Sequence, residues 1–207
     1  MRKIINKKVD IYDYLTNRII ELIEKEVEFN DIDREKLYLG VITLLINGLK
    51  ISFIALLAAI CGIFKEIMFM MIIFALLRLF AAGLHARKSY ICTIVSIVTY
   101  FTGTILSINF PIKRYVCFPI YVVLMVILIK FSPADTENRP IIGAENRRRL
   151  KRNTFIVALS ILFFNLIVFN EKLINLTMYS MVTQIICVLP FTYKILNRGY
   201  KNYEKYE

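Results

Sequence analysis

The sequence is dominated by long apolar runs joined by short turns, and this pattern excludes an ordinary soluble core. The chain has 207 residues, of which 57% are hydrophobic, and its mean hydropathy is +0.59. Soluble domains are about 45–50% apolar, and a helix needs roughly 20 apolar residues to cross a bilayer. The pattern predicts an all-α polytopic membrane protein with one domain, residues 1–207. The six predicted spans are Leu37–Phe64, Ile67–Ala82, Tyr90–Phe110, Tyr115–Phe131, Thr154–Phe169 and Leu173–Leu196.

The region before the first span has a different, amphipathic pattern. Between Ile11 and Val27 apolar residues recur at steps of three and four, with charged residues between them. Residues 1–30 are therefore predicted to include a helix that lies in the membrane interface. The first span also carries Asn47 and Lys50 near its middle, and we expect this polar face to turn toward protein.

Basic residues predict the orientation of the chain in a bacterial cell membrane. The net charge is +11, and residues 132–153 form the longest predicted loop, with a basic run over 147–152. Positively charged loops stay in the cytoplasm, so both termini and the turn at residues 83–89 are predicted there too. Anionic lipid or an acidic substrate would each suit the basic run, whereas no nucleic-acid motif accompanies it.

The cysteines and the single histidine suggest neither a metal nor a cofactor. Cys61, Cys92, Cys117 and Cys187 are scattered and form no CxxC pair. One histidine with scattered cysteines cannot supply the four ligands of a structural zinc site. Three of the cysteines lie inside apolar runs, where a thiol behaves as a small hydrophobic side chain. Cys92 differs because it lies just after the polar turn.

That turn combines Arg78, His85 and Cys92, the residue types of a cysteine nucleophile with its base. Their spacing of seven would keep them about 10.5 Å apart on one continuous helix, too far for proton transfer. Gly83 favours a helix end and Ser89 a new helix start, which would place Cys92 at the third helical position. There the helix dipole favours a thiolate. The alternatives are an interfacial histidine, a small filler cysteine and an arginine that snorkels to water.

The motif Arg78-x-x-Ala81-x-Gly83-x-His85-Ala86, with Cys92 seven residues after the histidine, resembles the signature of the accessory gene regulator B (AgrB) family. The segment Pro133-Ala-Asp-Thr-Glu-Asn-Arg-Pro140-Ile and the Asn47-x-x-Lys50 pattern are similar to the same family. The resemblance covers nearly the whole chain. The departure is Ala82, where the family often has a second glycine.

The resemblance implies a membrane cysteine endopeptidase of bacterial quorum sensing. It would remove the acidic C-terminal tail of a small propeptide and close the remainder into a thiolactone. Carried over by position, Cys92 is the nucleophile, His85 the base and Arg78 a supporting residue. A homodimer is implied as well. Two other functions fit the composition: a transporter or channel with a polar path, or a non-catalytic membrane scaffold. The polar path would be lined by Asn47, Lys50, Arg78 and Gln184.

Overall fold

The computed structural model describes residues 11–27, 29–84, 89–137 and 139–207. It contains eight α-helices in these ranges and a short 3-10 helix at Asn202–Lys205. The α-helices are α1 (Ile11–Ile23), α2 (Asp31–Ile60), α3 (Phe64–Ala81), α4 (Ser89–Asn109), α5 (Arg114–Phe131), α6 (Ala144–Ile167), α7 (Glu171–Val188) and α8 (Pro190–Ile195). The prediction of an all-α membrane protein is confirmed.

Four helices are long and apolar enough to cross a membrane among the described residues, namely α2, α4, α5 and α6. The second and sixth predicted spans correspond to α3 and α7, which have 18 residues each. The predicted sixth span does not continue to Leu196, because Pro190 has no N–H to donate and begins the separate helix α8. The number of six spans stays a prediction.

The N-terminal unit of the structure ends at Leu57. The amphipathic helix is confirmed as α1. The Tyr38 hydroxyl donates to the Asp13 carboxylate at 2.5 Å, and Arg34 pairs with Glu24 at 2.7 Å, so α1 is tied to the start of α2. Asn47 is exposed and Lys50 is half-buried, and the expectation that this polar face turns toward protein stays a prediction.

The second unit, which begins at Ala58, is a helical bundle with α7 at its centre. Helix α7 packs against α3, α4 and α5, and its Leu176, Met181 and Val188 side chains are completely buried. Small polar residues let α7 approach its neighbours closely. The Ser180 hydroxyl, for example, donates to the Leu176 carbonyl at 2.9 Å and lies 3.1 Å from the Met70 carbonyl.

The basic loop predicted over 132–153 is shorter than expected, because α6 begins at Ala144. Gly143 has a positive φ of 90° and precedes a segment of good helix formers, with Glu145 in the first turn, where the helix dipole favours an acidic side chain. The run from Arg147 to Arg152 therefore lies on the first turns of a helix, and the loop proper covers residues 132–143.

Contacts place three segments at the same end of the bundle. The Ala134 N–H donates to the Ala81 carbonyl at 3.0 Å, which joins the loop after α5 to the end of α3. The Gly199 N–H donates to the Glu137 carboxylate at 2.7 Å, which joins the segment after α8 to the same loop. The predicted topology also puts these segments on one side of the membrane, and that orientation stays a prediction.

Candidate active site

Arg78 holds the chain in a turn as α3 ends. The Ala82 N–H still bonds to the Arg78 carbonyl at 3.1 Å, which closes the last helical turn. The guanidinium Nη2 then donates to the Gly83 carbonyl at 3.0 Å and also to the Leu84 carbonyl. Arg78 therefore binds the backbone immediately before His85. These contacts contradict the alternative that its side chain only extends to water.

Helix α7 holds the same turn from the other side. The Gln184 side-chain Nε2 donates to the Ala82 carbonyl at 2.7 Å, and the Leu84 N–H donates to the Cys187 carbonyl at 2.8 Å. Gln184 is completely buried. Buried polar groups are costly unless they are hydrogen-bonded, so this amide is committed to the turn. The sequence alone indicates Gln184 only as part of a possible transport path and does not predict its contact with the turn.

Two consecutive residues of the turn have positive φ angles. Gly83 has a φ of 115°, and a Cβ added there would lie 2.7 Å from the Cys187 carbonyl oxygen. A side chain at Gly83 would therefore collide with α7. Ala82 has a φ of 52° and a ψ of −139°, a conformation that costs an L-residue free energy and favours glycine. The position where this chain departs from the AgrB pattern is thus a strained one.

Cys92 lies in the first turn of α4, as predicted, although one position deeper. The helix begins at Ser89, which makes Cys92 the fourth helical residue rather than the third. Its side chain is partly exposed. The helix that carries Cys92 packs against α3 and α7.

His85 lies outside the described residues, together with residues 86–88, so its pairing with Cys92 stays a prediction. The described chain on both sides of this connection packs against α7. The N–H of Leu84, which directly precedes His85 in the sequence, donates to the Cys187 carbonyl at 2.8 Å, and α4, which carries Cys92, packs against α7.

The loop after α5 supports the turn and is itself held by the C-terminal segment. The Asp135 carboxylate accepts the N–H groups of Asn202 at 2.9 Å and Tyr203 at 2.8 Å, and the Asp135 carbonyl accepts the Tyr193 hydroxyl at 2.7 Å. Glu137 pairs with Arg198 at 3.3 Å. These contacts of Asp135 and Glu137 order the loop after α5. Within the described ranges no group of three or more histidine, cysteine or acidic residues is placed to hold a metal.

Comparison with known proteins identifies the family. The family model for AgrB, accessory gene regulator B, matches residues 16–188. The chain belongs to the AgrB family. That range contains α2 to α7 and the whole of the turn from Arg78 to Cys92.

Relatives that match over nearly their whole length belong to the same family. An AgrB-like protein of Clostridium acetobutylicum is 31% identical over 200 residues, which cover 97% of this chain and 96% of the relative. An AgrB-like protein of Listeria innocua is 30% identical over 196 residues, covering 93% of this chain and 96% of the relative. No solved structure matches the chain. Membership in the AgrB family links this bacterial membrane protein to the processing of quorum-sensing propeptides.

The Gln184 contact leads to a testable prediction for this AgrB-family protein. Replacing Gln184 with leucine leaves the Ala82 carbonyl unpaired and should lower the free energy of unfolding by about 1–3 kcal/mol. The rate of propeptide processing should fall further than stability alone explains, because the turn before His85 loses a support. Both are measured on detergent-solubilised protein, by thermal unfolding and by product formation at a temperature where the variant is folded.

The matched control is Thr183→Val on the same helix. The Thr183 hydroxyl donates only to the Tyr179 carbonyl of α7 itself, at 2.8 Å, so this change removes a polar contact without touching the turn. Equal processing rates in the two folded variants would contradict a positioning role for Gln184.

Proposed function

We propose that the chain is a membrane cysteine endopeptidase that processes a small quorum-sensing propeptide. It cleaves the acidic C-terminal tail from the propeptide and closes the remaining peptide into a thiolactone ring. Cys92 is the nucleophile and His85 the general base. Cys92 lies in the first turn of α4, and His85 directly follows the turn held by Arg78.

One observation carries this proposal: the chain on both sides of residues 85–88 packs against α7. On one side the Leu84 N–H bonds to the Cys187 carbonyl at 2.8 Å. On the other side α4, which carries Cys92 in its first turn, packs against α7. Only residues 85–88 separate the turn from α4 in the sequence, and this short connection supports the proposal that His85 serves Cys92.

The reaction follows from a thiolate at the start of a helix. The backbone N–H groups of the first helical turn have no partners within the helix, and with the helix dipole they favour a negative sulfur. Cys92 attacks the scissile carbonyl, the C–N bond breaks, and His85 returns the proton to the leaving amine. The products of this step are the released tail and a thioester between the peptide and Cys92.

Ring closure is a second acyl transfer. The thiolate of a cysteine within the substrate attacks the thioester carbonyl, and Cys92 leaves as a thiolate. One thioester replaces another, so the step is nearly thermoneutral and needs protection from hydrolysis. The oxyanion of each step requires hydrogen-bond donors, and the N–H groups from Tyr90 to Cys92 are suited to this role. Arg78 serves as a positioning residue, because its Nη2 donates to the backbone of the turn.

The site is proposed to face the cytoplasm, with both termini on that side of a bacterial cell membrane, and the enzyme to act as a homodimer without a metal or another cofactor. Arg139, Arg149 and Arg152 are exposed at the end of the bundle that carries the turn. Their charge would attract the acidic tail of the propeptide before cleavage.

The proposal is tested by incubating the purified protein, in lipid nanodiscs, with a synthetic propeptide that has a central cysteine and an acidic tail. Mass spectrometry should detect the free tail, the cyclic thiolactone, and an adduct on Cys92 with the mass of the propeptide minus its tail. Hydroxylamine, which cleaves thioesters, should release that adduct. Release of a linear peptide alone would exclude cyclisation, and intact propeptide throughout would exclude the peptidase.

A further inference from the structure

A basic cavity lies at the end of the bundle that carries the turn. It has a volume of about 350 Å³ and is enclosed by the end of α5, the first turns of α6, the loop between them and the segment after α8. This volume is at the lower end of the range for small-ligand sites. The cavity is separate from the proposed nucleophile, since none of its lining residues belongs to α3, α4 or α7.

Five basic residues and one acidic residue line the cavity. The basic residues are Lys130, Arg147, Arg148, Lys151 and Lys201, and the acidic one is Asp135. The carboxylate of Asp135 is directed to the backbone N–H groups of Asn202 and Tyr203, at 2.9 and 2.8 Å. It therefore does not neutralise the basic side chains of the lining.

An anionic group is already bound by the wall of this cavity. Arg147 holds the Glu207 carboxylate with two nearly parallel hydrogen bonds of 2.6 and 2.8 Å, and the Gly143 N–H donates to the same carboxylate at 2.8 Å. This contact keeps the pKa of Glu207 below its ordinary value, because the guanidinium stabilises the charged form. Lys130, Arg148 and Lys151 have no ion pair of this kind with any described residue, so the cavity keeps an excess of positive charge.

The cavity lies at the end of α5 and the start of α6, where helices that span a membrane would leave the hydrocarbon layer. Both α5 and α6 are long and apolar enough to span the membrane. Large apolar side chains are exposed on the following turns, Val126 on α5 and Phe155 and Ile156 on α6, at 58%, 41% and 51% exposure. A phosphate bound among Lys130, Arg148 and Lys151 would therefore lie directly beside a surface that suits acyl chains.

We propose that this cavity binds the phosphate headgroup of an anionic phospholipid. Basic side chains at the cytoplasmic end of membrane helices attract anionic lipids, and a pocket between such helices gives that attraction a defined site. Arg148 supplies a planar donor for phosphate oxygens, and Lys130 and Lys151 supply compact charges. The acyl chains lie along the exposed apolar residues of α5 and α6.

The test compares two double variants on the same helix with the same change in charge. Arg148→Gln/Lys151→Gln removes two cavity residues, whereas Arg149→Gln/Arg152→Gln removes two exposed neighbours that do not line the cavity. The full chain is reconstituted in nanodiscs of phosphatidylcholine with a small fraction of phosphatidylglycerol. Native mass spectrometry then measures how much phosphatidylglycerol remains bound after release from the disc, and circular dichroism confirms that each variant is folded.

The cavity variant should retain about tenfold less phosphatidylglycerol than the unaltered chain, and the control variant should stay within about twofold. Equal loss in both variants would indicate diffuse surface charge and overturn the proposal. Inorganic phosphate or a glutamate-rich peptide is added separately to phosphatidylcholine discs. If either of them, and not the lipid, bound with the same dependence on Arg148 and Lys151, the cavity would be a site for that ligand instead.

Discussion

Replacing Cys92 with alanine is expected to abolish propeptide processing, with a loss of at least about 10⁴-fold in rate. The physical reason is that both steps proceed through a bond to the Cys92 sulfur: the first forms the thioester and the second exchanges it. Neither the free tail nor the thiolactone should appear. The measurement is single-turnover processing with excess enzyme in nanodiscs, followed by mass spectrometry of peptide and protein.

The most demanding control is a second thiol near the site. Cys187 lies on α7 at the position whose carbonyl accepts the Leu84 N–H, so its thiol is a candidate to replace Cys92 as the nucleophile. Cys187→Ala keeps the backbone carbonyl that holds Leu84 and should process the propeptide within roughly threefold of the unaltered chain. Processing that survives Cys92→Ala but not Cys187→Ala would reassign the nucleophile.

His85→Gln completes this series. Without a base to remove the thiol proton and return it to the leaving amine, the rate should fall by about 10²–10⁴-fold. A rise in the remaining activity with increasing pH is expected, because hydroxide then generates the thiolate that His85 no longer provides. Unchanged activity at neutral pH would remove His85 from the mechanism.

The contacts of Arg78 and Gln184 weigh against the transport alternative. A polar path through the membrane needs side chains that face water or a solute. The Gln184 amide instead donates to the Ala82 carbonyl at 2.7 Å, and Arg78 donates to the carbonyls of Gly83 and Leu84. Two of the four residues considered for such a path thus hold the backbone of one turn, which is the arrangement expected around a site that must be rigid.

Local patterns predict the helices and the turn but not the helix that holds the turn in place. The apolar runs predict α2 to α7 because each is long and bounded by charged or turn-forming residues. Gly83 and Ser89 predict the break between α3 and α4 in the same way. The support from α7 cannot be read locally, because Gln184 and Ala82 are 102 residues apart in the sequence. The start of α6 at Ala144 also differs from the prediction of a loop that continues to residue 153. Residues 144–153 are too polar for the hydrocarbon layer, but most of them still favour a helix.

The second large effect is expected from Gly83→Ala. The φ of 115° is one that alanine rarely adopts, and the added Cβ would lie 2.7 Å from the Cys187 carbonyl oxygen and 3.1 Å from Nη1 of Arg78. The chain can relieve this collision only by moving the turn away from α7, which breaks the bond between Leu84 and Cys187. We expect a loss of about 2 kcal/mol or more in the free energy of unfolding. Processing should fall by at least about 100-fold, because His85 moves with the turn.

Two glycine–alanine exchanges separate this effect from a general sensitivity to substitution. A Cβ at Gly48 of α2 meets nothing within 4 Å, so Gly48→Ala should leave processing unchanged and stabilise the helix slightly. Ala82→Gly introduces glycine where the φ is 52°, and should raise the unfolding temperature because strain is relieved beside the same turn. Equal processing rates in Gly83→Ala and Gly48→Ala would show that close packing of this turn against α7 does not position the base. The proposed mechanism would then lose the observation that supports it.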